Sequence, residues 1–316
     1  MPKREAKGLH PRNVHNLRYD FEELIACEPG LSSYVSENRY GDLSIDFSDA
    51  AAVLMLNRAL LGYFYGVKEW SIPEGYLCPP VPGRVDYLHY MADLLAEVNG
   101  GSIPEGPMVR ALDIGTGANC IYPLAGNSLY GWRFVGSDID TVSLASAGRI
   151  IAKNALLHER ISLREQKRPD HIFVGLITKK EQFDFTLCNP PFHRSPEEAA
   201  AGTQRKNRNL HKERAQKSRL NFGGQANELW CPGGEVAFIT KMIKESLLHA
   251  KKVLLFSTLV SKKESLPAIY KALKGVDPAM TKTIEMQQGQ KVTRIVVWSF
   301  KTKAEQASWA HSRWSV

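Results

Sequence analysis

The chain is poor in cysteine. Its five thiols (Cys27, Cys78, Cys120, Cys188 and Cys231) lie far apart, and none form a Cys-x-x-Cys pair. That spacing argues against a zinc ribbon or a disulfide framework and suits a reducing compartment. Long hydrophobic runs are also missing. The longest apolar stretch, Val253–Val260, falls far short of the ~18 residues that a membrane-spanning helix needs. The opening MPKREAKGLHPRN is polar and basic around no apolar core, which is not a signal-peptide pattern. The expectation is a cytoplasmic protein with no membrane partner. No internal repeat recurs. No His-x-x-His, paired cysteines or clustered carboxylates suggest a metal, and none is expected. His89 and His249 fall at helical spacing among apolar residues and read as structural.

What is present is an ordinary globular composition, 43% hydrophobic and 23% charged, enough to build a sizeable core. The net charge of +8 favours a polyanionic partner. Residues 1–47 form a basic extension that includes Arg12 and Arg18. Ser48 reads as the N-cap of an apolar helix, Asp49–Gly66. Cys78–Arg84 (CPPVPGR) reads as a rigid loop before a second helix, Val85–Val98.

From Met108 onward strands and helices alternate. Strand patterns lie at Val109–Gly115, Trp132–Asp140, Arg160–Glu165, Phe183–Asn189 and Lys251–Val260. Helical patterns lie between and after them, one of them read as capped by Thr141. Lys282–Gly289 and Thr293–Phe300 suit a closing antiparallel hairpin. This alternation predicts an α/β fold, a doubly wound and mainly parallel sheet. The core would span residues 107–301 within a domain of residues 48–301, followed by a polar tail, residues 302–316. One segment breaks the rhythm. His193–Gly224 is polar and strongly basic, and reads as a mobile loop that clamps phosphates. Arg205, Lys206, Arg208, Lys212 and Arg214 are its candidate contacts, alongside Arg12 and Arg18.

Two motifs carry chemistry. LDIGTGAN sets Gly115, Thr116 and Gly117 in the turn after a strand, where glycines let backbone amides approach a ligand. About twenty residues on, Asp138 ends the next strand, where an acid can accept from ribose hydroxyls. The residues up to Tyr122 supply no third glycine, and Asp113 would repel a pyrophosphate. Asp113 suits instead the cationic methionine portion of S-adenosylmethionine, so the turn looks like motif I of the class I methyltransferases.

The second motif is Asn189-Pro190-Pro191-Phe192, at the tip of a strand expected beside the first. The prolines hold the backbone in a narrow extended range. An aromatic amine is a poor nucleophile because its lone pair is spread into the ring. The Asn189 side-chain oxygen and the Pro190 carbonyl could accept both its N–H bonds and free that lone pair. Phe192 would stack on the flipped base. The tetrapeptide resembles the catalytic motif of enzymes that methylate adenine N6, cytosine N4, guanine N2 or glutamine amides, so by itself it leaves the acceptor open.

Further blocks narrow the choice: GLHPRNVHNLRYDF, LCPPVPGRVDYLHYMADLL, LCNPPFH, NFGGQANELWCPGGEVAFITKMI and EMQQGQKVTRIVVWSF. Together, from about Gly8 to Phe300, they resemble the bacterial 23S ribosomal RNA adenine-N6 methyltransferase family (RlmF), whose animal relative methylates adenine in U6 small nuclear RNA. The resemblance implies a class I methyltransferase with a Rossmann-like seven-stranded sheet and S-adenosylmethionine as methyl donor, leaving S-adenosylhomocysteine. Its partner would be 23S ribosomal RNA or a large-subunit assembly intermediate, and the protein a monomer with no obligate protein partner. It also adds Arg84, for the methionine carboxylate, and Arg168 to the cofactor site. Guanine-N2 methylation of RNA, glutamine methylation of a protein, and a non-catalytic RNA-binding module are the competing readings.

Overall fold

The computed structural model describes residues 8–195, 197–198, 226–289 and 291–314. Its centre is a seven-stranded sheet: β3 (Arg110–Ile114), β4 (Arg133–Asp138), β5 (Ile161–Glu165), β6 (Phe183–Cys188), β7 (Val253–Val260), β8 (Met280–Gln288) and β9 (Lys291–Ser299). The strand order is β5-β4-β3-β6-β7-β9-β8. The first five strands of that order run parallel, and β9 and β8 close the edge antiparallel. Every residue of β6 and β7 is buried, as expected of parallel strands covered on both faces.

The period-2 alternation divides side chains between two cores. Ala111 and Phe134 face one that includes α2 (Ala50–Tyr65), α3 (Val81–Val98) and α4 (Ile121–Tyr130). Leu112 and Val135 face the other, with α7 (Gly234–Ser246) and α8 (Leu266–Val276). α5 (Thr141–Ala152) crosses from β4 to β5, and α6 (Ala226–Leu229) leads into α7. Ahead of the sheet lie α1 (Phe21–Cys27) and a small hairpin of β1 (Val35–Glu37) with β2 (Leu43–Ile45).

Several boundaries differ from the sequence reading. α2 is capped by Asp49, whose carboxylate accepts from the Ala51 N–H, while the Ser48 hydroxyl donates to Asp46. α5 is likewise capped by Asp140 and not Thr141. In both cases an ionised carboxylate is the stronger acceptor for free helix N–H groups. The proline-rich stretch does not stay a loop throughout. Val81–Arg84 forms the first turn of α3, where proline is tolerated because its missing N–H would have had no partner. Arg84 therefore sits on a rigid helix.

The expected polar tail contains a helix, α9 (Lys303–Trp314), with Trp309 and Trp314 buried. Its anchor is Asp184, fully buried in β6. Oδ1 accepts from Trp309 Nε1 (2.8 Å), Trp314 Nε1 (3.2 Å) and Arg313 Nε (2.9 Å), and Oδ2 accepts from the Arg110 N–H (2.6 Å). No helix among the described residues is long and apolar enough to cross a membrane.

Candidate active site

In the register of the central pair, Ile114 of β3 lies opposite Cys188 of β6. Gly115 and Asn189 therefore leave adjacent parallel strands side by side. At this C-terminal edge, where α/β sheets bind ligands, opens a cavity of about 680 Å³. Gly115, Thr116 and Gly117 line it from β3, Ser137 and Asp138 from β4, and Asn189 and Pro191 from β6. The two sequence motifs thus share one cavity.

The glycine turn is tightly fixed. Gly115 and Gly117 have φ of +72° and +64°, a region that favours glycine. The N–H groups of Gly115 and Thr116 both donate to Ser137 O at 2.9 Å, and the Gly117 N–H donates to Asp138 Oδ2 at 2.9 Å. The turn presses so close to β4 that a Cβ on Gly136 would stand 2.9 Å from Thr116 Oγ1. At Gly115, by contrast, the space a Cβ would take is open.

Behind the turn Asp113 is fully buried; among the described residues neither carboxylate oxygen has a hydrogen-bond partner, with Thr116 and Arg84 near enough to favour its charged form. Burial pushes its pKa up to about 7. A buried acid left unpaired beside an open glycine cradle suits a ligand that brings a cationic group.

Arg84 enters from α3 and lines the cavity, its guanidinium donating to the Tyr122 hydroxyl at 3.0 Å. Asn119 ties the preceding loop to the turn: its side-chain N–H donates to Leu77 O at 3.3 Å. Glu228, from α6, accepts from the Leu77 N–H at 3.1 Å and also lines the cavity. Arg168 is not in the cavity wall. It is largely exposed and faces Asp170 at 3.6 Å. Gln166 lines the wall instead, its side chain donating to Val174 O (3.0 Å) and accepting from the Arg168 N–H (3.1 Å).

In the second motif Asn189 is half-buried and Pro190 buried. Phe192 is half-buried, meets the His193 ring edge-on at 5.5 Å, and is not part of the cavity wall. The wall carries instead Trp230, Cys231, Phe238 and Lys241, which sequence reasoning did not single out. Their only signal was position, after the basic segment and along the next helix. Of the candidate RNA contacts, Arg12 pairs with Asp93 at 2.7 Å and donates to His89 O at 2.9 Å, and Arg18 pairs with Asp42. Arg205, Lys206, Arg208, Lys212 and Arg214 lie outside the described residues. Of the two histidines read as structural, His89 is buried with Nδ1 2.6 Å from the Tyr130 hydroxyl, and His249 is buried against Phe173. Among the described residues no three His, Cys, Asp or Glu side chains are grouped to hold a metal ion.

A family model described as RNA methyltransferase (Methyltransf_10) matches residues 3–302. The chain belongs to this family. Among curated relatives, the ribosomal RNA large subunit methyltransferase F of Photobacterium profundum is 56% identical over 99% of this chain and 98% of its own length. The protein of the same name from Cytophaga hutchinsonii is 54% identical over 97% of this chain and 95% of its own. Among solved structures, the human METTL16 catalytic domain in complex with the MAT2A 3′UTR hairpin 1 superposes with a TM-score of 0.77 at 28% identity, covering 93% of this chain and 96% of that one. The METTL16 N-terminal domain in complex with SAH gives 0.72 at 28% identity, over 93% and 99%. The protein is thus an RNA methyltransferase of the RlmF and METTL16 type with a class I methyltransferase fold, as the resemblance of its sequence blocks implied.

Proposed function

We propose that the protein transfers a methyl group from S-adenosylmethionine to the exocyclic N6 amine of one adenine in 23S ribosomal RNA. The observation that carries the reading is the register of β3 and β6, which brings the glycine turn and Asn189 to one cavity. The base and RNA assignment draws on the names of the curated relatives, ribosomal RNA large subunit methyltransferases. When bound, S-adenosylmethionine supplies an electrophilic methyl on a sulfonium.

The residues present suit that ligand. Asp138 would accept from the ribose hydroxyls, with its other contact to the Gly117 N–H keeping it in place. Arg84 would hold the methionine carboxylate, since a guanidinium pairs bidentately with one. Gly115, Thr116 and Gly117 would offer backbone close to the ligand, and the cationic group would lie near the buried Asp113 carboxylate. Arg168 would contribute only through its neighbour, by donating its N–H to Gln166.

On the acceptor side, the Asn189 side-chain oxygen and the Pro190 carbonyl would take the two amine N–H bonds. Each accepted bond draws the nitrogen away from conjugation with the ring, so its lone pair can attack. Pro190 and Pro191 contribute rigidity: with φ fixed, the carbonyl does not have to be ordered when the base arrives. Phe192 would flank the base from outside the cavity wall.

The test is direct. The protein is incubated with labelled S-adenosylmethionine and undermodified 23S ribosomal RNA, and the RNA is digested to nucleosides. Label in N6-methyladenosine is the expected result. Label only in 2-methylguanosine, or only in glutamine of a ribosomal protein, would overturn the assignment.

A further inference from the structure

The cavity that Asn189 lines is also lined by a tryptophan with no assigned role. Trp230 is joined to the residue after the tetrapeptide by an isolated parallel bridge: the His193 N–H donates to Leu229 O at 3.0 Å, and the Cys231 N–H donates to His193 O at 3.1 Å. These two bonds hold Trp230 in step with Asn189–Phe192. Trp230 lines the cavity together with Asn189 and Pro191, whereas Phe192 does not.

Its indole N–H is buried and has no hydrogen-bond partner among the described residues. Buried indoles normally find one, because an unpaired donor is costly. A ring kept where its donor goes unpaired is placed for its faces. Tyr122 and Phe238 also reach the cavity, but Tyr122 is engaged with Arg84 and Phe238 lies on α7.

We propose that Trp230 is the stacking surface for the target base, holding the ring plane while Asn189 and Pro190 take the amine. The proposal rests on the amine-methylation reading above. An indole suits the role because it is large, has only two side-chain torsions to order, and stacks on any base.

The test begins by locating the methylated adenosine in the wild-type reaction. Trp230→Ala is then expected to lower kcat/KM for RNA by about ten- to a hundredfold, and Trp230→Phe by no more than about threefold. Cofactor affinity should change less than about twofold in both, since the loss lies on the acceptor side. With 2-aminopurine at the target position, the Trp230→Ala complex should fluoresce more strongly than the wild-type complex, because its flipped base is no longer quenched by stacking. Should Trp230→Ala not fold, Trp230→Leu carries the same comparison against Trp230→Phe.

Full turnover in Trp230→Ala would overturn the proposal. So would equal losses in the Phe and Ala variants, or unchanged 2-aminopurine emission. A wild-type enzyme that labels RNA but no adenosine would instead overturn the base assignment, and one that labels no RNA would remove the basis for both.

Discussion

The two ends of β6 are built on opposite principles. Near its start, Asp184 is fully buried and accepts from a backbone amide, two indoles and an arginine, so both oxygens are engaged. At its other end, past Cys188, the strand opens on a cavity near the Asp113 carboxylate and the Trp230 N–H, which have no hydrogen-bond partner among the described residues. One end locks α9 to the sheet and has nothing left to offer a ligand. The other carries unpaired polar groups, which a fold tolerates where something else will pair them. Burial alone does not separate the two ends of this strand; the pairing of their polar groups does.

Breaking the satisfied end should cost stability and leave chemistry intact. Asp184→Ala leaves a half-buried guanidinium and two indole donors without their buried acceptor, and is expected to destabilise the fold by about 3–5 kcal/mol. Thermal melting would register this, while turnover per folded molecule at low temperature should stay near wild type. A large loss of turnover without a loss of stability would erase the contrast.

Breaking the open end should do the reverse. Asn189→Ala removes one of the two proposed amine acceptors, and kcat should fall by about a hundred- to a thousandfold. Its melting temperature and its cofactor affinity by calorimetry should barely move.

Asp113 sharpens the comparison through pH. Its folded-state pKa is raised to about 7, above the value in an unfolded chain, so the folded protein holds an extra proton between about pH 4 and 7. Its contribution to stability is present at low pH and is lost as pH rises through that window. Asp113→Asn should therefore flatten the ligand-free melting profile across it. The same variant should weaken S-adenosylmethionine binding by about ten- to a hundredfold at pH 8, where the wild-type acid is ionised, and by less at pH 6. The smallest expected effect is at Gly136. A Cβ there meets Thr116 Oγ1 at 2.9 Å and Leu163 Cδ2 at 3.2 Å, so Gly136→Ala should cost about 1–3 kcal/mol by displacing the glycine turn. Calorimetry should show weaker cofactor binding as the turn shifts.

Much of the sheet was legible because its strands are short apolar runs bounded by turn residues. The expected adjacency of the first core strand and the Phe183–Cys188 strand is the observed pairing of β3 with β6. Gly115, Gly117 and Asn189 were legible because their chemistry depends on residue type at a fixed place in a turn. Helix caps were misread by one residue, since Ser48 and Asp49, or Asp140 and Thr141, are neighbouring residues that can both cap, and the folded helix uses the carboxylate. α9 was read as a tail because its polar composition hides two tryptophans whose value lies in reaching Asp184, 125 and 130 positions away. Arg84 was read onto a loop because three prolines (Pro79, Pro80 and Pro82) precede it, yet Val81 already begins α3.

The chain's own order of residues determined the glycine turn, the rigid Asn189–Phe192 tetrapeptide and the strands that carry them, because these follow from local spacing and from the backbone limits of glycine and proline. Only tertiary packing decided which side chains face one another across the cavity. That Gln166 and not Arg168 lines the wall, and that Trp230 and not Phe192 does, depends on how distant segments dock onto the sheet. Local periodicity does not encode that registry; the competition of whole elements for the same buried surface does.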